Sequence, residues 1–353
     1  MTTKRRTGTL LGAILAIAAL TACAPAPSSN KGAKPSDTGD PDVVADNLEA
    51  PWSIAFHGST PLVSERDSAK ILELDKDGDP REVATIDGVA GEGEGGLLGL
   101  AVKDDDLFVY STGAGENRVE RYPIKGEAGA LELGEPKELL DGIAAASYHN
   151  GGRIAFGPDK MLYVTTGDAG EPETAQDRKS LSGKILRMTP DGEVPSDNPD
   201  SDSLVYSFGH RNPQGMAWSE DGTMYATEFG QDTWDELNVI EPGGNYGWPE
   251  VEGIAEDEDF TDPVQQWEPA EASPSGMAIT GDTALIANLR GERLFEVPLD
   301  KPSTSAEHFV AEFGRLRDVV VAPDGSLWML TNNTDGRGDP GADDDRILSF
   351  EID

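Results

Sequence analysis

One pattern recurs six times along this chain. A short apolar strand is followed by a polar turn, a second apolar strand, and then a strand of alternating apolar and polar residues. The first two strands pair Ile54-Ala55-Phe56 with Pro61-Leu62-Val63, and Leu100-Ala101-Val102 with Leu107-Phe108-Val109-Tyr110. Ile154-Ala155-Phe156 with Met161-Leu162-Tyr163-Val164 and Met216-Ala217-Trp218 with Met224-Tyr225-Ala226 repeat the theme. Met277-Ala278-Ile279 with Ala284-Leu285-Ile286-Ala287 and Val320-Val321-Ala322 with Leu327-Trp328-Met329-Leu330 complete it. Each copy closes on a stretch such as Ile71-Leu72-Glu73-Leu74 or Leu294-Phe295-Glu296-Val297, whose period of two marks a half-buried strand. Asp221-Gly222 and Asp324-Gly325 supply hairpin turns. A unit of roughly 40 to 60 residues with several strands and no long amphipathic helix is the mark of a propeller blade. The spacing therefore predicts an all-β fold, a six-bladed β-propeller of four-stranded antiparallel blades. A pair of β-sandwiches is disfavoured, because no linker separates the copies. The last copy runs to the C-terminus, so Val43-Val44-Ala45 is expected to complete the sixth blade and close the ring.

The N-terminus reads as an address. Lys4, Arg5 and Arg6 precede an apolar stretch, Leu10 to Leu20, that is short for a bilayer span. Leu20-Thr21-Ala22-Cys23 then places the sole cysteine of the chain where a lipoprotein signal is cut and acylated. The expected division is a signal peptide over 1–22, a flexible Pro/Ser/Gly/Ala tether over 23–42 beginning at lipidated Cys23, and the propeller over 43–353. This predicts an extracytoplasmic protein whose only membrane contact is its acyl anchor. No intramolecular disulfide or cysteine metal cluster can form. With 28 Lys+Arg against 66 Asp+Glu, the net charge of −38 argues against a nucleic-acid partner.

The polar clusters fall just before the inner strands, where loops of a propeller reach its channel. His149 stands in His149-Asn150-Gly151-Gly152-Arg153 before the third copy. It reads either as a proton acceptor for a substrate hydroxyl or as a histidine bonded to a neighbouring loop. Before the fourth copy stands Gly209-His210-Arg211-Asn212-Pro213-Gln214-Gly215, a kinked polar run suited to an anionic ligand. Arg211 offers a planar fork of donors for a carboxylate or oxyanion, or for an inter-blade ion pair. Arg315 and Arg317 lie on one side of the approach to the sixth copy, and Arg290 ends the hairpin of the fifth. Several arginines converging in so acidic a chain imply a multiply anionic small ligand. The Glu228–Glu236 segment combines carboxylates with loop carbonyls and suits Ca²⁺. Gly91–Gly96 lacks the Gly-Lys-Ser/Thr of a phosphate loop, Asp75–Asp79 reads as a turn, and Arg337-Gly338-Asp339 carries no chemistry beyond its composition.

Taken in order, these motifs resemble the soluble quinoprotein glucose/sorbosone dehydrogenases, whose cofactor is pyrroloquinoline quinone (PQQ). The resemblance runs from Pro51-Trp52 through Gly96–Leu100, His149–Arg153, Ser182–Arg187 and the Gly209–Gly215 run. It continues through Asn245-Tyr246-Gly247-Trp248-Pro249 to Arg315-x-Arg317-Asp318. It implies His149 as the general base, Arg211 and Asn212 at the quinone, and Arg315 and Arg317 on the cofactor carboxylates. Arg290 falls where some members carry a lysine on the cofactor. The Gly230 and Gln231 carbonyls match ligands of the cofactor's Ca²⁺, while Glu236 and the Tyr246 carbonyl match part of a second, structural Ca²⁺ site. On the substrate side, Glu94 replaces a glutamine and Tyr148 an aspartate found in glucose-oxidising members.

The resemblance thus implies oxidation of a small aldose at its anomeric carbon to the lactone. PQQ would be the hydride acceptor, Ca²⁺ and Arg211 would polarise it, and an electron acceptor that the sequence does not name would follow. Two other classes are weighed against it. A Ca²⁺-dependent propeller lactonase would need carboxylate and Asn ligands around one channel ion. A non-enzymatic binding propeller would be expected to have lost His149 or the arginine pair.

Overall fold

The computed structural model describes residues 40–352. The expected signal peptide, Cys23 and the tether up to residue 39 lie outside the described residues. Six antiparallel sheets follow one another along the chain, each built on four strands, and four of them are plain meanders. In the first blade these are Pro51–His57, Thr60–Glu65, Lys70–Leu74 and Pro80–Thr85. The inner strands of the remaining blades are Leu97–Lys103, Ile154–Phe156, Pro213–Trp218, Pro274–Thr280 and Leu316–Val321.

Ring closure follows the expectation. Asp42–Ala45 pairs antiparallel with Ile347–Phe350, with Val43 opposite Leu348, so the sixth blade takes its outer strand from the start of the domain. The two ends of the domain thereby share one ladder of backbone hydrogen bonds. The second blade departs from the plain pattern. A short strand, Glu132–Leu133, pairs with Glu116–Lys125 and buries Leu131 beneath it. Among the described residues the one helical element is a single 3₁₀ turn, Pro172–Ala175.

The core lies between blades. Trp52, Leu98, Phe108, Tyr110, Ile154 and Leu186 form one cluster where the second and third blades meet. Further clusters join Leu62 and Ile71 to Leu97 and Leu107, and Leu285 and Leu294 to Leu316 and Met329. Another joins Ala45 and Ile347 to Val63 and Leu72 across the closure. The alternation read in the sequence thus sends apolar side chains into the inter-blade layers. Each fully buried Leu or Ile there contributes about 1.5–3 kcal/mol.

Candidate active site

The residues that open the inner strands meet at one end of the channel. Arg153 donates to the Gln214 carbonyl at 2.9 Å and pairs with Asp318 at 2.9 Å, its guanidinium lying 4.3 Å above the Trp52 ring. Arg317 donates to Gln214 Oε1 at 2.9 Å and to Asn332 Oδ1 at 2.8 Å, and Asn332 in turn donates to the Pro51 carbonyl at 3.0 Å. Ser275 also donates to Gln214 Oε1, at 3.1 Å. Five blades are tied together by this buried polar plug. Such a network rigidifies its surroundings because each member is held by several others.

Above the plug stands His149. Its Nδ1 lies 2.7 Å from Asp168 Oδ1, and Nε2 makes no hydrogen bond to any described residue. Asp168 is buried and accepts two further bonds, from the Gly170 amide at 2.8 Å and from Trp248 Nε1 at 2.9 Å. Burial opposes ionisation of Asp168, but the bonds from His149, Gly170 and Trp248 outweigh it and hold the carboxyl below its usual range. An ionised Asp168 fixes the proton on Nδ1 and leaves the Nε2 lone pair as the basic site. His149 has a left-handed backbone, φ 59°, and its amide donates to Glu94 Oε2 at 3.0 Å. Gly167 permits this turn, since a Cβ there would stand 2.0 Å from the His149 carbonyl oxygen.

Arg211 and Asn212 border the same loop. The Asp168 amide donates to the Arg211 carbonyl at 2.8 Å, and Asn212 Oδ1 accepts from the Gly151 amide at 3.0 Å. The Arg211 amide is fixed by Glu228 at 2.7 Å, and its guanidinium lies 5.4 Å from the Trp248 ring centroid. Burial pushes the Arg211 guanidinium downward, while Asp168 and Glu228 restore part of its affinity for the proton. On the other side Arg315 pairs with Asp335 at 3.1 Å, and Arg317 lies 3.8 Å from the same carboxylate. Full burial pushes Arg317 down to about 9, so it remains charged at neutral pH. Arg211 Nε, Asn212 Nδ2 and Arg315 Nε are buried donors with no partner in the protein. Unpartnered buried donors cost about 1–3 kcal/mol each unless something else accepts from them. Three of them beside charged arginines fit a planar, multiply anionic ligand.

The other expected site residues are placed as follows. Arg211 Nη1 donates to the Gly230 carbonyl at 2.6 Å, so this backbone oxygen stands within the arginine cluster. The Gln231 amide donates to Glu252 at 2.6 Å, and Glu252 also caps the Thr233 and Trp234 amides. Arg290 is exposed and borders a surface cavity of about 550 Å³ with Gln231 and Trp234. Glu236 is buried, accepting from the Gly253 amide and Asn238, and burial together with Glu228 raises its carboxyl. Tyr246 stacks on the His210 ring at 4.6 Å and donates its hydroxyl to the Val239 carbonyl. Among the described residues no three His, Cys, Asp or Glu side chains are grouped to hold an ion. Tyr148 stands at the rim, 45% exposed, edge-on to His149 at 4.7 Å. Glu94 pairs with Arg337 at 2.9 Å.

Sequence reasoning gave no role to Asp168, Trp248 or Asp335, and read Glu228 as part of a Ca²⁺ loop where its carboxylate instead binds the His210 ring and the Arg211 amide. Asp168 was findable from the hairpin register. Ile154 faces Val164 and Phe156 faces Leu162, and extending that ladder brings residue 149 opposite residue 169.

Comparison with known proteins agrees with the geometry. The family model described as Glucose / Sorbosone dehydrogenase matches residues 48–339. The PQQ-bound aldose sugar dehydrogenase of Streptomyces coelicolor superposes with a TM-score of 0.85 at 48% identity, covering 89% of this chain and 97% of that one. Quinoprotein glucose dehydrogenase B of Acinetobacter calcoaceticus is 31% identical over 64% of this chain, and the match spans 55% of that protein. The aldose sugar dehydrogenase YliI of Escherichia coli is 28% identical over 84% of this chain and 90% of its own length.

Proposed function

Because the chain belongs to the glucose/sorbosone dehydrogenase family, we propose that it is a PQQ-dependent enzyme that oxidises a cyclic aldose at its anomeric carbon to the lactone. The observation that carries this reading is the His149–Asp168 pair, 2.7 Å apart, standing beside buried arginine and asparagine donors that lack protein partners. His149 Nε2 takes the proton of the anomeric hydroxyl, and Asp168 stabilises the imidazolium that results. As that proton leaves, the C1 hydrogen departs with its electron pair and a C=O bond forms at C1. PQQ, when bound, supplies the two-electron acceptor for that hydride. Arg315 and Arg317 would hold its carboxylates, and Arg211 and Asn212 would donate to its quinone oxygens. Arg290, exposed beside Gln231, would contribute a further positive charge on the cofactor side. Tyr148 and Glu94 border the side from which the sugar enters.

The Gly230 and Gln231 carbonyls have the oxygen chemistry that Ca²⁺ takes. Two protein oxygens are fewer than its usual shell of about six to eight, so other oxygens, from water or a bound ligand, would complete it. Glu236 and Tyr246 are retained as candidates for a second ion, both lying near Glu228. A Ca²⁺-dependent hydrolase is disfavoured, since it needs convergent side-chain ligands and the described residues offer no such group. A lipid anchor at Cys23 would place the enzyme outside the cytoplasm, where electrons pass to an acceptor other than NAD.

The test is reconstitution. Purified protein is mixed with PQQ and Ca²⁺, desalted, and assayed on a panel of aldoses with an artificial electron acceptor. Retained quinone absorbance and turnover of at least one aldose are expected. Loss of the absorbance on desalting, with no aldose oxidised, would remove the proposal.

A further inference from the structure

Arg337 lies in the loop that joins Leu327–Thr331 to Ile347–Phe350 in the sixth blade, far in sequence from His149 and Glu94. The sequence gives its tripeptide no role, yet the fold carries its guanidinium across the channel mouth to Glu94, with Nη1 2.9 Å from Oε1. The other oxygen of the same carboxylate accepts the His149 amide at 3.0 Å. Both Glu94 oxygens are therefore engaged by protein, one by a charge on the sixth blade and one by the backbone of the proposed base.

The loop that presents Arg337 is built to hold it. The Arg337 amide donates to Asp335 Oδ1 at 2.9 Å, and the other Asp335 oxygen pairs with Arg315. Thr334 donates its amide to Asp345 at 3.0 Å and accepts the Ala50 amide at 2.7 Å, tying the loop to the first blade. Gly338 packs so closely that a Cβ would stand 2.6 Å from Asn333 Cα. On the other side the Glu94 amide donates to the Ser147 carbonyl at 2.9 Å, two residues before His149. A continuous chain of contacts thus runs Arg315–Asp335–Arg337–Glu94–His149.

We propose that Arg337 is a positioning residue for the base, acting through Glu94 to hold the His149 backbone in its left-handed turn. The need for such a clamp is physical. A histidine at φ 59° is in a sparsely populated conformation that its surroundings must impose. His149 is otherwise fixed at its ring by Asp168 and through its carbonyl, which accepts the Ala169 amide at 3.2 Å. The amide bond to Glu94 is the remaining backbone tie, and a carboxylate swings freely unless its second oxygen is anchored. Burial works against the charge on Glu94, but the His149 amide and Arg337 overcome it and keep the carboxyl below its usual range. A misplaced base loses rate out of proportion to the displacement, about 100-fold for 1 Å.

This inference rests on the dehydrogenase reading for its kinetic consequence only, so it is tested by two readouts. The first needs no cofactor. The chain has 4 His, so ¹⁵N-histidine labelling of the full protein gives a sparse, assignable spectrum. Arg337→Ala is expected to shift the amide and ring signals of His149 while leaving those of His57 and His308 in place. The second is turnover of the reconstituted enzyme. Arg337→Ala and Glu94→Gln are each expected to lower kcat by about 10-fold to 100-fold with quinone absorbance retained. The double variant should be no slower than the slower single one, because both break the same tie. An Arg337→Ala protein with unmoved His149 signals and wild-type kcat overturns the proposal, as does a double variant whose losses multiply. A wild-type protein that oxidises no aldose, with the His149 signals still moved by Arg337→Ala, removes the dehydrogenase reading and leaves the clamp standing.

Discussion

Two histidines in this propeller are bound to carboxylates in the same way, and they are fitted for opposite tasks. His149 Nδ1 lies 2.7 Å from Asp168, and His210 Nδ1 lies 2.7 Å from Glu228. His210 is wholly buried and stacked on Tyr246, and its Nε2 is taken up by Ser207 at 2.8 Å. It has no nitrogen left for a substrate. The His149 side chain is 12% exposed, and its Nε2 faces no protein partner. The lesson is that a histidine–carboxylate pair is not by itself a catalytic device. The far nitrogen decides, and it is the burial of the ring that decides the far nitrogen.

That contrast can be broken by exchanging the roles of stability and turnover. The largest effect is expected from Asp168→Asn. It keeps the shape but loses the charge that fixes the His149 tautomer, so kcat should fall by about 10²- to 10⁴-fold, measured in steady state on the reconstituted enzyme. Its thermal midpoint should fall only modestly, by the share of stability that the ionised carboxylate contributes at neutral pH. His210→Ala should do the reverse. It strips Glu228 of a buried partner and leaves a cavity, so unfolding in denaturant should show a loss of about 3–5 kcal/mol. Turnover of the fraction that remains folded and holds quinone should be largely kept. A catalytic collapse there with no loss of stability would put His210, not His149, at the chemistry.

Smaller effects sharpen the same comparison. Trp248→Phe removes one of three bonds to the ionised Asp168, and a hydrogen bond to a charged group contributes about 1.5–3 kcal/mol. A several-fold loss of kcat is expected, much less than for Asp168→Asn. The smallest effect is on acid stability. Asp168 titrates at 3.8 in an unstructured chain and lower in the fold, despite the opposing effect of burial, because of its bonds to His149, Gly170 and Trp248. A lowered carboxylate adds stability above its unfolded value, and that stability is lost as pH falls through its folded value. Wild-type protein should therefore lose stability relative to Asp168→Asn on acidification below pH 3.8, by denaturant titration at a series of pH values. Parallel curves would show that the pair is not held as described.

The blades were legible because their signal is local. Period-two alternation and Asp-Gly turns lie within a few residues of one another, and even the closing strand at Val43–Ala45 announced itself by a sixth copy that lacked its outer edge. The short extra strand of the second blade was not legible, since Glu132–Leu133 has two residues and no alternation to read. His149, Arg211, Asn212, Arg315 and Arg317 stood out because each sits before or at the start of an inner strand in a polar run. Their partners did not. Asp168 is 19 residues from His149, and Arg337 is 243 residues from Glu94. Only hairpin register reveals the first, and only ring closure brings the second into reach. Tyr148 and Glu94 could not be matched to a sugar, because Tyr148 is exposed and leaves no complementary shape to read, and both oxygens of Glu94 are taken by His149 and Arg337.

The most direct measurement is a single turnover without any electron acceptor. Wild-type protein and His149→Gln, both loaded with PQQ and Ca²⁺, are mixed with an aldose in a stopped-flow spectrometer, and the absorbance of the bound quinone is followed. The wild-type absorbance should change in one rapid phase. His149→Gln should hold the same amount of quinone, unfold at the same temperature, and change its absorbance slower by about 10²-fold or more. A His149→Gln protein that reacts at the wild-type rate would show that the proton leaves by another route and that the free nitrogen of His149 is not the base.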